Sequence, residues 1–384
     1  MLYCSGCATV NVPNLGTQSV VIQDDERRLM NRAKEVREAI DQSGWIYDDQ
    51  AISVYLNAFI PKLLPQGLKA DEVDFVIKVI KDPALNAFSF PDGQIYVTTG
   101  ILAVAENESQ IATLLAHELT HVLHRHGLKS FRSLKNTTAW WESVGLFTGG
   151  LGMIVSELAK VSSVSGFSQG LETEADEAGF ELLKKAGFDT AQSVKFFELM
   201  DHYYKDEKGT EPYFFSSHPK LVERIKNFKR LSGVQDVSET SETIDLHYQE
   251  LFHELIVENL KLCLSSGMYK TVENQLSRLM KVYPQDAHLA FLKGELYRER
   301  HDPQEKRKDR DKDKDYAVSL ESYDLALSLN NDYDEAELGK GRVLLIQGKK
   351  DEALRCLNQY LQKKSSADNK NLVEYLLKKA KSQP

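Results

Sequence analysis

His117, Glu118 and His121 stand in the order H-E-x-x-H within the stretch Asn107 to Gly127, NESQIATLLAHELTHVLHRHG. On a helix the two histidines are separated by about 400° of rotation, so they lie only about 40° apart around the axis. Two imidazoles one turn apart can hold one zinc ion, and Glu118 then sits beside the open coordination position as a general base. The chemistry of such a site is hydrolysis, in which the metal activates water and polarises the carbonyl under attack.

The pattern works only if residues 107–127 are helical. Asn107 is a suitable N-cap, Gln110 three residues on suits a capping box, and Gly127 is placed to end the helix. Ile111, Leu115, Leu119, Val122 and Leu123 recur at helical spacing and mark a core face, with His117 and His121 opposite it. A zinc held by two histidines needs a third protein ligand. Glu172 and Asp176, in ETEAD, are i and i+4 at the start of a helix that ends at Gly187. Glu172 is the candidate ligand, and Asp176 the carboxylate that would orient a ligand imidazole through its free N–H. The plain alternative for an acidic helix start is complementarity to the helix dipole. His124 lies near the same face as His117 but is surplus to a three-residue site, and His126 is expected to pack or hydrogen-bond at the helix end. His218, in FSSHP, is either a turn residue or an imidazole delivered to the cleft.

The surrounding chain must supply the frame. Residues 21–64 read as helices broken at Gly44 and carry no evident chemistry. From Glu72 to Gly100 the period changes: VDFVIKVI, NAFSF and QIYVTTG read as strands, the last two joined by a Pro91-Asp92-Gly93 turn. A small sheet thus ends in a hairpin before the metal helix, and its edge either pairs with an extended peptide or is purely structural. Leu128 to Gly170, with Trp140-Trp141 and four glycines between 145 and 152, is a lid over the cleft or a closely packed helix pair.

The expected fold class is mainly α (α+β). A zincin-like metallopeptidase domain with a small β-sheet covers 21–232, a polar linker 233–244, and an α-helical domain 245–384. The last of these repeats. Gly267 and Gly348 precede equivalent helices, and Leu338, Gly341, Ala353, Leu357 and Tyr360 fit the tetratricopeptide pattern. A charged insertion at 298–315 interrupts the middle unit; the mixed signs of residues 305–315 suit a solvated, nearly neutral loop. Three such helix pairs bury a continuous core and offer a surface for protein partners.

Composition narrows the function classes. With 57 acidic and 48 basic residues the net charge is −9, which gives no electrostatic footprint for nucleic acid. No run of 18 apolar residues exists, so no transmembrane helix is expected. Of the four cysteines, Cys263 and Cys356 suit helical core positions, and Cys4 and Cys7 form a CxxC with no second pair for a zinc ribbon. Ser5-Gly6-Cys7-Ala8 resembles the end of a bacterial lipoprotein signal, which makes Cys7 a candidate lipid anchor and residues 1–20 a tether. Only Met1 to Gly6 precede it, without the apolar region such signals carry.

The ordered set NAFSFPDGQIYVTTG, HELTH, ETEAD, SHP and Arg224 resembles the CAAX-prenyl-protease-type zinc metallopeptidases, closest to their soluble, periplasmic BepA-like branch with C-terminal tetratricopeptide repeats. The resemblance covers roughly Ala70 to Arg230. It implies that His117, His121 and Glu172 bind zinc, that Glu118 is the base, and that Asp176 is the supporting acid. It also implies that His218 stabilises the oxyanion or caps the metal. One departure is visible: relatives usually have Ser-Arg before the glutamate, and here Gln169 follows Ser168. The implied function is a zinc endopeptidase of the bacterial periplasm acting on misfolded or stalled envelope proteins. The alternative is a chaperone or assembly adaptor whose protease site is latent or rarely used.

Overall fold

The computed structural model describes residues 12–16, 22–68, 73–134, 167–206, 221–234, 245–300, 311–363 and 369–382. The segment 140–166 and its tryptophans, His218, Cys4 and Cys7, and the linker residues 235–244 lie outside them. The chain forms two compact units, residues 1–259 and 260–384. The fold is mainly α with one small sheet, as expected.

The first unit begins with helices α1 (Asp24–Gln42), α2 (Gln50–Asn57) and α3 (Phe59–Leu63), with Asp49 capping α2 through Ile52 N. Strands β1 (Val76–Ile80), β2 (Ala87–Ser89) and β3 (Gln94–Thr98) follow. The sheet order is β1-β3-β2, with β1 parallel and β2 antiparallel to β3. The β2–β3 pair is the expected hairpin, and Gly93 in its turn has φ of 94°. Every residue of β3 is buried, because a central strand has helices or loops over both faces. Tyr96 and Phe88 stack at 5.4 Å beside Ile40 and Ile80, which fastens α1 to the sheet. A short helix α4 (Thr99–Val104), capped by Thr98, separates the sheet from the metal helix.

That helix, α5 (Glu108–Leu123), starts where the sequence placed it: Asn107 accepts from Gln110 N at 3.1 Å. Gln110 reaches back to Glu106 N at 2.8 Å, one residue beyond the box position. Both the core stripe and the histidine face are interior, since Gln110 to Leu123 are all buried. One expectation fails here: the helix ends at Leu123 rather than at Gly127, which lies inside the next helix α6 (His126–Leu134). The break is made by Arg125, whose φ of 54° is the left-handed conformation that side chains other than glycine and asparagine adopt at a cost of about 1–3 kcal/mol. Its guanidinium compensates: Nε donates to buried Glu26 of α1 at 2.9 Å, Nη2 binds the other Glu26 oxygen, and Nη1 donates to Pro13 O at 3.1 Å. The α1 segment thus carries chemistry that its sequence did not disclose.

Helix α7 (Gln169–Ala186) packs on α5 and ends at Gly187, φ 80°. It starts three residues ahead of the ETEAD segment, because Ser168 caps it through Leu171 N at 3.4 Å. Gly179 lets the two helices close: a Cβ there would lie 3.2 Å from Ala116 C and O and from His117 N. Helices α8 (Ala191–Asp206) and α9 (Leu221–Ser232) complete the frame. The unit also takes in the first part of α10 (Leu246–Ser265), past the expected boundary at 245. Tyr248 donates to Leu102 O at 2.8 Å, Thr99 bonds Asn259 at 2.9 Å, and Phe252 packs edge-on against Tyr55.

In the second unit, α11 (Tyr269–Val282), α12 (Ala287–Glu299), α13 (Lys312–Leu329), α14 (Asp334–Ile346), α15 (Lys350–Lys363) and α16 (Lys370–Ser382) pack each on the next. The fully buried Tyr323 ring sits where Gly294 of α12 and Gly339 of α14 leave room for it. The charged stretch is not a uniformly solvated loop. Arg298 lies within α12, α13 already begins at Lys312, and Arg300 and Asp315 form a buried pair across the interruption. Residues 301–310 lie outside the described set.

Gly179→Ala tests the close approach of α5 and α7. On an open helix the change would stabilise by about 1 kcal/mol. Here it is expected to destabilise by about 1–3 kcal/mol, because the added methyl meets backbone rather than a flexible side chain. Urea denaturation of the two proteins gives the sign.

Candidate metal centre

Helix α5 brings His117 and His121 to one side, and α7 brings Glu172 across from them. His117 Nε2 is 3.0 Å from His121 Nε2 and 3.4 Å from Glu172 Oε2, and His121 Nε2 is 3.5 Å from Glu172 Oε1. Donors on a tetrahedral zinc at 2.0–2.1 Å are separated from one another by about 3.3 Å. The triangle therefore already has the size that zinc requires, and its two imidazoles and one carboxylate are a donor set that zinc prefers. All three residues are 4% exposed or less, and Glu118 is fully buried one position from His117.

His117 Nδ1 meets two outer groups, Asp176 Oδ1 at 3.0 Å and Arg224 Nη2 at 2.9 Å. Arg224 Nη2 already donates to Asp176 Oδ1 at 2.6 Å, and a carboxylate can only accept, so with Nε2 turned to the metal position Nδ1 keeps the proton and gives it to Asp176. Arg224 of α9 grips the same carboxylate, Nε at 3.0 Å and Nη2 at 2.6 Å from Oδ1, and its guanidinium lies 4.4 Å from the Phe197 ring centroid. Burial pushes the Asp176 pKa up, but Arg224 and His117 outweigh it and hold the carboxyl below its ordinary value. For His117, burial and Arg224 oppose protonation, while hydrogen bonds to Asp176 and Glu172 outweigh them and raise the pKa. His121 Nδ1 is 2.9 Å from Nδ1 of His126, and its ring stacks on Phe167 at 4.0 Å. Burial pushes the His126 pKa down to about 4, so that ring is neutral at pH 7. The helix N-terminus is anchored separately, through Gln110 to Gln192 at 3.2 Å and Thr113 to Ser193 at 2.8 Å, both on α8.

The profile of peptidase family M48 matches residues 53–232. That range holds all of these donors. Over residues 53–232 the chain is similar to the M48 peptidases. The chain is 30% identical over 193 residues to the mitochondrial metalloendopeptidase OMA1 of Schizosaccharomyces pombe, covering 50% of this chain and 56% of that protein. It is 24% identical over 280 residues to the beta-barrel assembly-enhancing protease of Yersinia pestis, 69% of this chain and 54% of that protein. The corresponding protease of Escherichia coli K12 is 24% identical over 243 residues, 60% of this chain and 47% of that protein. The chain spans about half the length of these curated relatives.

Within the M48-like range the sequence-derived residues His117, Glu118, His121, Glu172 and Asp176 come together. His218 lies outside the described residues. His124 does not join the first donor set; its Nδ1 bonds Glu174 at 2.6 Å. His126 does hydrogen-bond at the helix end, and its partner is the His121 ring. Arg224 had only its place in the ordered motif to mark it, and nothing local in the sequence pointed to Asp176 as its partner. Gln169, the departure from the family pattern, donates to Glu223 of α9 at 2.6 Å on the exposed rim.

Asp176→Asn keeps the shape of the side chain and removes its charge. Zinc affinity, measured by competition with a chromophoric chelator, is expected to fall by about 10–100-fold. An unchanged affinity would show that Asp176 does not set the His117 ring.

Proposed function

We propose that this chain is a zinc-dependent endopeptidase of the bacterial cell envelope. The observation that carries the reading is the His117–His121–Glu172 triangle, with its separations of 3.0–3.5 Å, placed beside Glu118 in a range similar to the M48 peptidases. When bound, zinc supplies Lewis acidity, lowering the pKa of water and polarising the scissile carbonyl. Glu118 takes a proton from the attacking water onto a carboxylate oxygen and returns it to the leaving amine nitrogen. Asp176, gripped by Arg224, keeps the His117 ring turned towards the metal. His218 is assigned, on the sequence resemblance, to stabilise the oxyanion or cap the metal.

The edge of the sheet offers a substrate-binding mode. Strand β2 is the outer strand next to α5, and Ser89, Phe90 and Pro91 line a small cavity together with His121 and Phe167. An extended peptide paired with β2 would run past the ligand helix. The helix pairs of the second unit, read as tetratricopeptide repeats, would dock protein partners or substrate. Relatives named for enhancing β-barrel assembly favour misfolded or stalled envelope proteins as substrates. With Cys7 as a lipid anchor, the site of action would be the periplasm.

A second reading draws support from one observation: Glu118 and the three donors are nearly inaccessible, at 4% exposure or less. A peptide reaches them only if the site opens, which suits an assembly adaptor whose protease is latent until a partner engages.

Glu118→Gln is expected to retain zinc and to lose hydrolysis of an unfolded protein substrate by several orders of magnitude, with chelator abolishing the activity of the unaltered chain. Full activity in the variant would refute the base assignment. No hydrolysis by the zinc-loaded unaltered chain, together with normal cellular effect of the variant, would favour the adaptor.

A further inference from the structure

A second group of metal-seeking atoms lies beside the first. His124, His126 and Glu174 place ligand atoms within 4.8 Å of one another. His126 Nε2 is 3.4 Å from Glu174 Oε2, already near the spacing of two donors on one zinc. His124 Nδ1 is 2.6 Å from Glu174 Oε1 and must separate by about 0.7 Å to admit an ion. Glu174 can make that movement, since its side chain is 37% exposed.

An ordinary ion pair accounts for part of the cluster. Glu174 meets His124 and, at 3.4 Å, Lys129. His126 is less well served: it is 0% exposed, and its Nε2, 3.4 Å from Glu174 Oε2, makes no hydrogen bond among the described residues. A buried ring nitrogen in that state retains a desolvation cost that a metal ion would relieve. An ion also has a way in, because His124 lines a cavity of about 280 Å³ with Thr120, Leu123 and Ala178.

We propose that His124, His126 and Glu174 form a second, weaker site for a zinc-class divalent cation, and that an ion there opposes the ion at His117, His121 and Glu172. Lys129 beside Glu174 makes the site the weaker of the two. The opposition follows from one hydrogen bond. A neutral imidazole carries one N–H. With zinc on His121 Nε2, the ring proton sits on Nδ1 and is donated to His126 Nδ1, 2.9 Å away. His126 then keeps its own proton on Nε2, where it blocks a metal. An ion on His126 Nε2 moves that proton to Nδ1, and two N–H groups face each other across 2.9 Å. The hydrogen bond breaks, or His121 leaves the first ion. Each ion therefore weakens the other by the same factor. The second site stands on its own geometry; only the opposition rests on the zinc reading of the first.

Equilibrium dialysis of the purified chain against buffered zinc tests both parts. One tight and one weaker class of bound zinc are expected. His124→Ala should lose the weaker class and keep the tight one, with circular dichroism confirming its fold. Glu172→Ala, which cripples the first site, should bind at the second at least tenfold more tightly than the weaker class of the unaltered chain. A single class in the unaltered chain that persists in His124→Ala overturns the proposal. Two classes persisting in His124→Ala overturn it as well, and an unchanged second affinity in Glu172→Ala overturns the opposition. Zinc that is lost with His124→Ala but indifferent to Glu172→Ala, with no tight class at all, would support the second site and refute the reading of the first.

Discussion

On the proposed zinc reading, three metal-seeking atoms are held about 3.3 Å apart, out of water, on two helices. Much of the packing around α5 serves that arrangement. The donors are short: an imidazole on α5 and a carboxylate on α7 meet only where the two helix backbones approach closely. Gly179 permits it by leaving no side chain between α7 and the Ala116–His117 backbone. The aligned lone pairs then repel one another and lack hydration, so the outer partners must hold the rings. Asp176 and Arg224 do this for His117, and His126 does it for His121.

This arrangement explains why the whole of α5 is buried. A helix that carries a stripe of apolar residues and, opposite, a pair of ligands looks two-faced on paper. In the molecule both faces are interior, because the ligand face is covered by α7 and the outer contacts that it brings. Polar residues on that face are paired within the helix or across it, as Thr113, Thr120 and Gln110 are.

Much of the centre was legible in the sequence. H-E-x-x-H and E-x-x-x-D encode positions around single helices, and helical geometry alone converts that spacing into shared faces. Asn107 and Gly187 marked helix ends for the same local reason. What sequence could not disclose depends on distant parts of the chain. Arg125 takes a conformation that its own residue type disfavours, because Glu26, 99 residues earlier, makes it worthwhile. Gly127 misled for the converse reason: a glycine that looks like a stop is tolerated inside α6 once the break has occurred upstream. The pairing of Arg224 with Asp176 and of His126 with His121 likewise needed the tertiary fold.

The bond between Glu26 and Arg125 has a consequence for how the protein is made. The end of the metal helix is set by a residue of the first helix, while the donor set is closed by Glu172 and braced by Arg224. As synthesis proceeds from the N-terminus, a chain that has emerged only through HELTH possesses both histidines but neither the third ligand nor the carboxylate that turns the first ring. On the proposed reading, metal capture therefore waits until some two hundred residues have docked on one another, and a partly made or truncated chain lacks a completed donor set.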